Sequence, residues 1–288
     1  MLIVKPGFVT KSSAAGSAGE ITRASKSNLA LAFVSLGRER RHDITVFYAF
    51  CRLIDDIADA TDISVEEKTA ELTRWRQALV QPATDESSIA SQVRELLTKY
   101  PISTAMMEEI IDGVEMDLTI SQYETFADLR EYCYRVASAV GLVSIEIFGY
   151  RNAACREYAI SLGLALQVTN ILRDVAKDLG NGRIYLPQAD MARAGYSETD
   201  LKARTYNENF VRLMQLEADR AHAYFAEAKA LLPREDRRSM IGAEIMAAIY
   251  QALLDRMERD GFRVFERNYS LGKVAKFWHV TRQLLTVR

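Results

Sequence analysis

Asp55 and Asp59 stand four residues apart in "CRLIDDIADAT", an otherwise apolar stretch at 51–61. On a helix their carboxylates project from one face. Like charges at that spacing destabilise a helix by roughly 0.2–0.5 kcal/mol, and burying them unpartnered costs far more. Extended backwards, the helix puts Tyr48, Arg52, Asp55, Asp59 and Asp62 on one stripe, at spacings of four, three, four and three. Phe47, Phe50, Cys51, Leu53, Ile54, Ile57 and Ala58 fill the other directions, the pattern of a helix buried on most sides. A second segment, "GLALQVTNILRDVAKDLG", repeats the arrangement. There Gln167, Asn170, Asp174 and Asp178 recur at three, four and four among Leu164, Leu166, Val168, Ile171, Leu172 and Val175.

A single D-x-x-x-D pair reads as a solvated face. Two apolar helices, each with a row of oxygen ligands, call for another account. Facing each other across a bundle, four carboxylates would repel unless cations sat between them. Hard divalent ions with oxygen ligands fit, and Mg²⁺ typically keeps waters and takes substrate phosphates as well. Arg52 and Arg173, beside the acids, would then hold phosphate oxygens bidentately. The acids thus imply a phosphate-bearing ligand bridged by Mg²⁺. The histidines add nothing to this site. Glu39 and His42 form one E-x-x-H of a di-iron bundle, which needs two, and neither His222 nor His279 has a glutamate three residues earlier.

The elements that must carry these stripes are helices. Five prolines and fourteen glycines punctuate 288 residues, with helical periodicity between them. The expected helices are 22–35, 42–61, 64–80, 85–99, 103–120, 125–150, 153–180, 206–231, 236–266 and 270–286. "NGRIYLPQAD" and "GYSETD" mark one irregular region, and "SETD" has the polar spacing of a helix start. No strand alternation persists. The expectation is an all-α single-domain helical bundle over 21–288, around a central apolar cavity, after a flexible tail at 1–20. Charge is nearly balanced, 37 basic against 39 acidic residues, so no global field attracts nucleic acid. "RERRH" at 38–42 reads as a solvated helix end. Three cysteines, Cys51, Cys133 and Cys155, fit reduced thiols rather than a disulfide framework. No apolar run reaches the roughly 18 residues of a membrane span. A soluble cytoplasmic protein is the default, with room for peripheral contact with a membrane during product release.

With these residues in view, the sequence resembles the squalene/phytoene synthase family. "YAFCRLIDDIAD", "ALQVTNILRDVAKD" and "GRIYLP" look like its signature segments. "EYCYRVASAVG" at 131–141 resembles its tyrosine-cysteine segment and "SKS" at 25–27 its N-terminal serine segment. The resemblance implies head-to-head joining of two prenyl diphosphates. It places Asp55, Asp59, Asn170, Asp174 and Asp178 around two or three Mg²⁺ ions. It places Tyr48, Arg52, Gln167, Arg173, Tyr250 and Arg267 near the diphosphates, and matches Ser25, Lys26 and Ser27 to the segment that closes over substrate. Tyr48, Arg52, Tyr132 and Arg173 are the catalytic candidates. The proton acceptor stays open among Tyr132, Tyr48 and the departing diphosphate. Small residues at Ala137, Ser138, Ala139 and Gly141 would admit a prenyl chain or serve close helix packing, and both readings stand.

Two farnesyl (C15) units would give presqualene diphosphate and then a C30 squalene-type product, with NADPH required only if that product is squalene. Two geranylgeranyl (C20) units would give phytoene. Class I terpene cyclases and head-to-tail synthases share D-D-x-x-D, and a silent helical scaffold needs neither aspartate pair. "GRIYLP" and the placement of Arg52 favour the head-to-head family. Asn28, Ser138 and Asn268 depart from the family pattern; the first two lie where prenyl chains would run.

Overall fold

The computed structural model describes residues 36–83 and 86–286. The helices are α1 (Arg38–Asp59), α2 (Val65–Val80), α3 (Ser88–Lys99), α4 (Thr104–Thr119), α5 (Phe126–Cys133), α6 (Ala139–Phe148) and α7 (Ala154–Gly180). They continue as α8 (Gln188–Ala194), α9 (Glu198–Lys202), α10 (Glu208–Leu231), α11 (Ile241–Arg259) and α12 (Lys273–Thr286). Among the described residues the only β-type contact is an isolated bridge between Gln122 and Ile184. The fold is all-α. The expected helix at 22–35, the tail at 1–20 and the triplet Ser25, Lys26 and Ser27 lie outside the described residues.

Polar residues start the helices where the sequence offers them. Ser64 with Glu67, Thr125 with Asp128 and Ser197 with Asp200 form capping boxes, each satisfying two otherwise orphaned backbone N–H groups. Ser87, Ser103 and Asn207 cap α3, α4 and α10 from one side.

α7 is the central element. α5, α6, α10 and α11 pack on it, while α1 packs on α3, α4 and α6. One apolar core runs from Leu36 to Val280. Its closest helix contact explains the small residues. A Cβ on Gly163 would stand 2.6 Å from the Cα of Ser138, and one on Gly141 would meet the Ala159 carbonyl oxygen at 3.1 Å. Ser138 Oγ donates to the Ile160 carbonyl at 2.8 Å. At Ser138 and Gly141, close helix packing is the reading that holds.

Three expectations need correction. The helix expected over 125–150 is interrupted by a π-helical turn at Tyr134–Ser138, where the Ala139 N–H bonds back to the Tyr134 carbonyl. The helix expected over 236–266 starts at Ile241 and stops at Arg259, because Gly261 and Phe262 take positive φ (67° and 56°). The irregular region after "NGRIYLP" holds two short helices, α8 and α9, the second starting at the "SETD" cap. "RERRH" is exposed as expected, and all three cysteines are buried free thiols.

Candidate active site

α1 carries the first stripe inward. Tyr48 and Asp55 are buried and Asp59 is half-buried, but the helix ends at Asp59, leaving Asp62 in an exposed bend. Arg52 reaches Asp55 at 3.5 Å and grips Asp56 at 2.5 Å and 3.2 Å. On α7, Arg173 binds Asp174 through two parallel bonds of 2.8 Å and 2.5 Å. Burial alone would raise the Asp174 pKa; the Arg173 guanidinium more than cancels it and holds the carboxyl below its usual range. Arg173, itself buried, stays firmly protonated for the same reason. The mutual repulsion expected between the acid helices is therefore largely answered by arginines within the protein.

Arg183, from "GRIYLP", joins the two helices. Its guanidinium lies 3.6 Å from Asp59 and 3.7 Å from Asp117, and donates to the Asp117 carbonyl at 3.2 Å. Its backbone N–H donates at 2.9 Å to the carbonyl of Asp178, where α7 ends. Asp117 in turn accepts from Tyr185 at 2.6 Å and from Tyr132 at 3.1 Å. The two rings stack at 5.1 Å, with Tyr123 against both. Burial, then the Asp117 charge, pushes the Tyr132 and Tyr185 phenols well above their ordinary pKa. Both are neutral hydrogen-bond donors at physiological pH.

α7 also carries a polar patch with spare capacity. Gln167 and Asn170 are buried, yet Gln167 Oε1 and Asn170 Oδ1 accept no hydrogen bond among the described residues. Tyr250 of α11 stands beside them. Burial raises its pKa, and Arg173 and Asn170 pull the other way. Lys276 of α12 is close enough to Arg173 that this charge, after burial, lowers its pKa.

Of the expected site residues, Tyr48, Arg52, Asp55, Asp59, Gln167, Asn170, Arg173, Asp174, Asp178 and Tyr250 sit on α1, α7 and α11 as described. The aspartates do not converge into a compact cluster. Among the described residues, the only trio of His, Asp or Glu ligand atoms within 4.8 Å of one another is His222, Asp255 and Glu258, on α10 and α11. Arg267 is exposed and pairs with Asp260 at 2.9 Å. Sequence reasoning missed Asp117, Arg183, Tyr185 and Lys276. Asp117 had a signal: it follows Ile110, Gly113 and Val114 at i+7, i+4 and i+3, the buried face of α4.

An all-helical bundle with acids and arginines paired on two helices, joined by a third arginine beside buried unmatched amides, defines a helical synthase of the isoprenoid type. More narrowly, the chain belongs to the squalene/phytoene synthase family, whose model matches residues 22–275. It is a prenyltransferase of the head-to-head kind. A 15-cis-phytoene synthase of Synechococcus elongatus is 34% identical over 244 residues, covering 79% of this chain and 78% of its own. A presqualene diphosphate synthase of Rhodopseudomonas palustris is 36% identical over 245 residues, covering 84% and 87%. The crystal structure of a dehydrosqualene synthase in complex with ligand superposes with a TM-score of 0.81 at 27% identity, covering 94% of this chain and 95% of that one.

Proposed function

We propose that this chain joins two farnesyl diphosphates head to head through presqualene diphosphate, giving that intermediate and/or a C30 squalene-type product. The observation that carries the reading is the pairing of arginine-held acids with buried, unmatched amides. Arg173 keeps Asp174 ionised and Arg52 lies 3.5 Å from Asp55, while Gln167 and Asn170 offer oxygens that no protein donor fills. This donor set fits a hard divalent cation bound together with a diphosphate.

Asp55, Asp59, Asn170, Asp174 and Asp178 would hold Mg²⁺. When bound, the ion supplies Lewis-acid stabilisation of the leaving diphosphate. Arg52, Arg173 and Tyr250 hold and orient the diphosphate, the arginines exchanging part of their carboxylate contact for phosphate oxygens. Tyr48 stands at the inner end of the same stripe. The apolar faces of α1 and α7 exclude water, so that an allylic cation meets a double bond instead. Tyr132 stays neutral and donates to Asp117, so it orients and does not accept a proton. That leaves Tyr48 and the departing diphosphate as the candidate bases.

The C15 reading is supported by the presqualene diphosphate synthase and dehydrosqualene synthase likenesses. The cyanobacterial phytoene synthase supports a second reading, two C20 units giving phytoene. Purified protein incubated with Mg²⁺ and radiolabelled C15 or C20 diphosphate, with and without NADPH, separates them by the lipid formed. C40 phytoene from the C20 substrate, with nothing from C15, would overturn the first reading. NADPH dependence is expected only if squalene is the end product.

A further inference from the structure

Two of the chain's three histidines stand against one turn of α11. Asp255 and Glu258 fall there at i and i+3, so their carboxylates share a face. From α10, His222 Nε2 lies 2.8 Å from one Glu258 oxygen. One ligand atom from each of His222, Asp255 and Glu258 lies within 4.8 Å of the other two. Gln215, also on α10, donates to the second Glu258 oxygen at 2.9 Å and so fixes how that carboxylate is presented. From α12, His279 is near enough to Asp255 to feel its charge. Burial and then Arg282 hold the His279 pKa below its usual value, with Asp255 opposing them. That ring is therefore neutral at physiological pH and keeps a lone pair.

Ordinary ion pairing does not account for this group. At α1 and α7 arginines answer the acids, whereas among the described residues no lysine or arginine pairs with Asp255 or Glu258. The neighbouring arginines turn elsewhere. Arg256 donates to the Ser270 carbonyl at 2.8 Å, and Arg259 to the backbone carbonyl of Asp255 at 3.1 Å. Imidazole nitrogen beside carboxylate oxygen suits ions of the zinc class, whereas Mg²⁺ takes oxygen alone. A tetrahedral zinc, with bonds of about 2.0–2.2 Å, holds its ligand atoms roughly 3.3–3.6 Å apart. The separations here run from 2.8 Å to within 4.8 Å, a range that spans this value. The place is also distinct from the diphosphate site. Tyr250, which Arg173 influences, precedes Asp255 by five residues, so the two point about 140° apart around α11. Tyr250 is buried and Asp255 exposed.

We propose that His222, Asp255 and Glu258 bind a divalent ion of the zinc class, with His279 as the neighbouring fourth donor. Such an ion joins α10 to α11 and draws α12 to both. The site goes beyond the proposed function and does not rest on it, because its donors differ from the oxygen set on α1 and α7.

The test uses the full chain without an affinity tag, stripped of metal and kept in excess Mg²⁺, with each variant shown to be folded by circular dichroism. Co²⁺, whose visible absorption reports its coordination, should bind one per chain, and Zn²⁺ should displace it. His222→Gln keeps a hydrogen-bond donor toward Glu258 but no imidazole. It should weaken Co²⁺ binding about tenfold or more, at least the loss seen when a partner of a metal ligand is removed. Asp255→Asn should do the same, and His222→Gln combined with His279→Gln should abolish binding. Asp174→Asn, at the diphosphate site, should leave the Co²⁺ spectrum as in the parent. No binding by the parent, or equal binding by parent and double variant, would overturn the inference. So would a Co²⁺ band lost in Asp174→Asn but kept in His222→Gln. Binding only at millimolar metal would mean an adventitious ion only, and would overturn it too.

Discussion

Two regions of this molecule bury polar side chains, and they satisfy them in different ways. Away from the acid helices, Asp236 accepts the backbone N–H groups of Arg151 and Asn152 at 2.8 Å and 2.9 Å. Asp43 takes Lys99 at 2.6 Å and Tyr100 at 2.5 Å. Asp190 takes both arms of Arg220, at 2.7 Å and 3.0 Å, while that guanidinium stacks 4.2 Å over Phe126. These acids bind segments together and have little capacity left. On α7 the acids are also paired, yet Gln167 and Asn170 beside them keep atoms unfilled. A buried polar group left unmatched costs about 1–3 kcal/mol. Burial of charge therefore does not separate a site from a brace. Unused hydrogen-bonding capacity does, because a fold retains that cost where a ligand later offsets it.

The largest expected effects fall on turnover. Asp55→Asn and Asp174→Asn should each cut diphosphate release on the order of 10²-fold or more, by removing a charge that holds the metal and diphosphate. The choice of asparagine follows from the structure. Alanine at 174 would strand the buried Arg173 guanidinium and confound loss of function with loss of fold, which relief of like-charge crowding alone would not have foreseen. With asparagine, the melting temperature should move little. Either variant turning over at near-parental rates under saturating Mg²⁺ would erase the distinction between the two regions.

Asp190→Ala should do the reverse. It strips Arg220 of two bonds, leaving only Glu217. Removing one partner of a buried pair costs up to about 3–5 kcal/mol. Thermal unfolding should come several degrees earlier, while turnover per folded molecule holds. A large fall in kcat at a temperature where the variant is fully folded would make this brace part of the site.

Much of this was legible in the sequence because the relevant signals are local. Periodicity found every long described helix, and α7 agrees with its expected range to within a residue at its start. The two D-x-x-x-D stripes, with Arg173 beside the second, gave nine candidate residues that the fold places on α1 and α7, and the resemblance added Tyr250 on α11. What escaped depended on contacts distant in sequence or on a broken period. Arg183 acts by reaching Asp59 and Asp117, 124 and 66 positions earlier, which no spacing rule encodes. Asp117 lay among five acids of α4 and was separable only by its register with Ile110 and Val114. Arg267 came from the motif and not from a stripe; Gly261 and Phe262 turn the chain before it, and it pairs with Asp260. The two short helices after "GRIYLP" have five and seven residues, too few for a periodic signal.

The smallest predicted effect probes the one structural acid that breaks the pattern. Glu217 is buried on α10; one oxygen meets Arg220 at 2.5 Å, and the other has no hydrogen-bond partner among the described residues. Burial pushes its pKa up to about 7, against the Arg220 charge and with help from Asp190. Below that value the carboxyl holds a proton that it can donate toward Asp190. Because the folded state holds that proton more tightly than the unfolded chain, its stabilisation is complete below the usual value near 4.5. It is lost as pH rises toward 7, at about 1.4 kcal/mol per unit of pKa difference. Glu217→Gln supplies a permanent donor. The difference in unfolding free energy between variant and parent, from denaturant titrations at several pH values, should grow in the variant's favour from about pH 4.5 to 7 and then level off. A flat difference across that range would mean that Glu217 is ionised throughout. The brace would then carry an unmatched acceptor just as Asn170 does, and unused capacity would no longer tell the two regions apart.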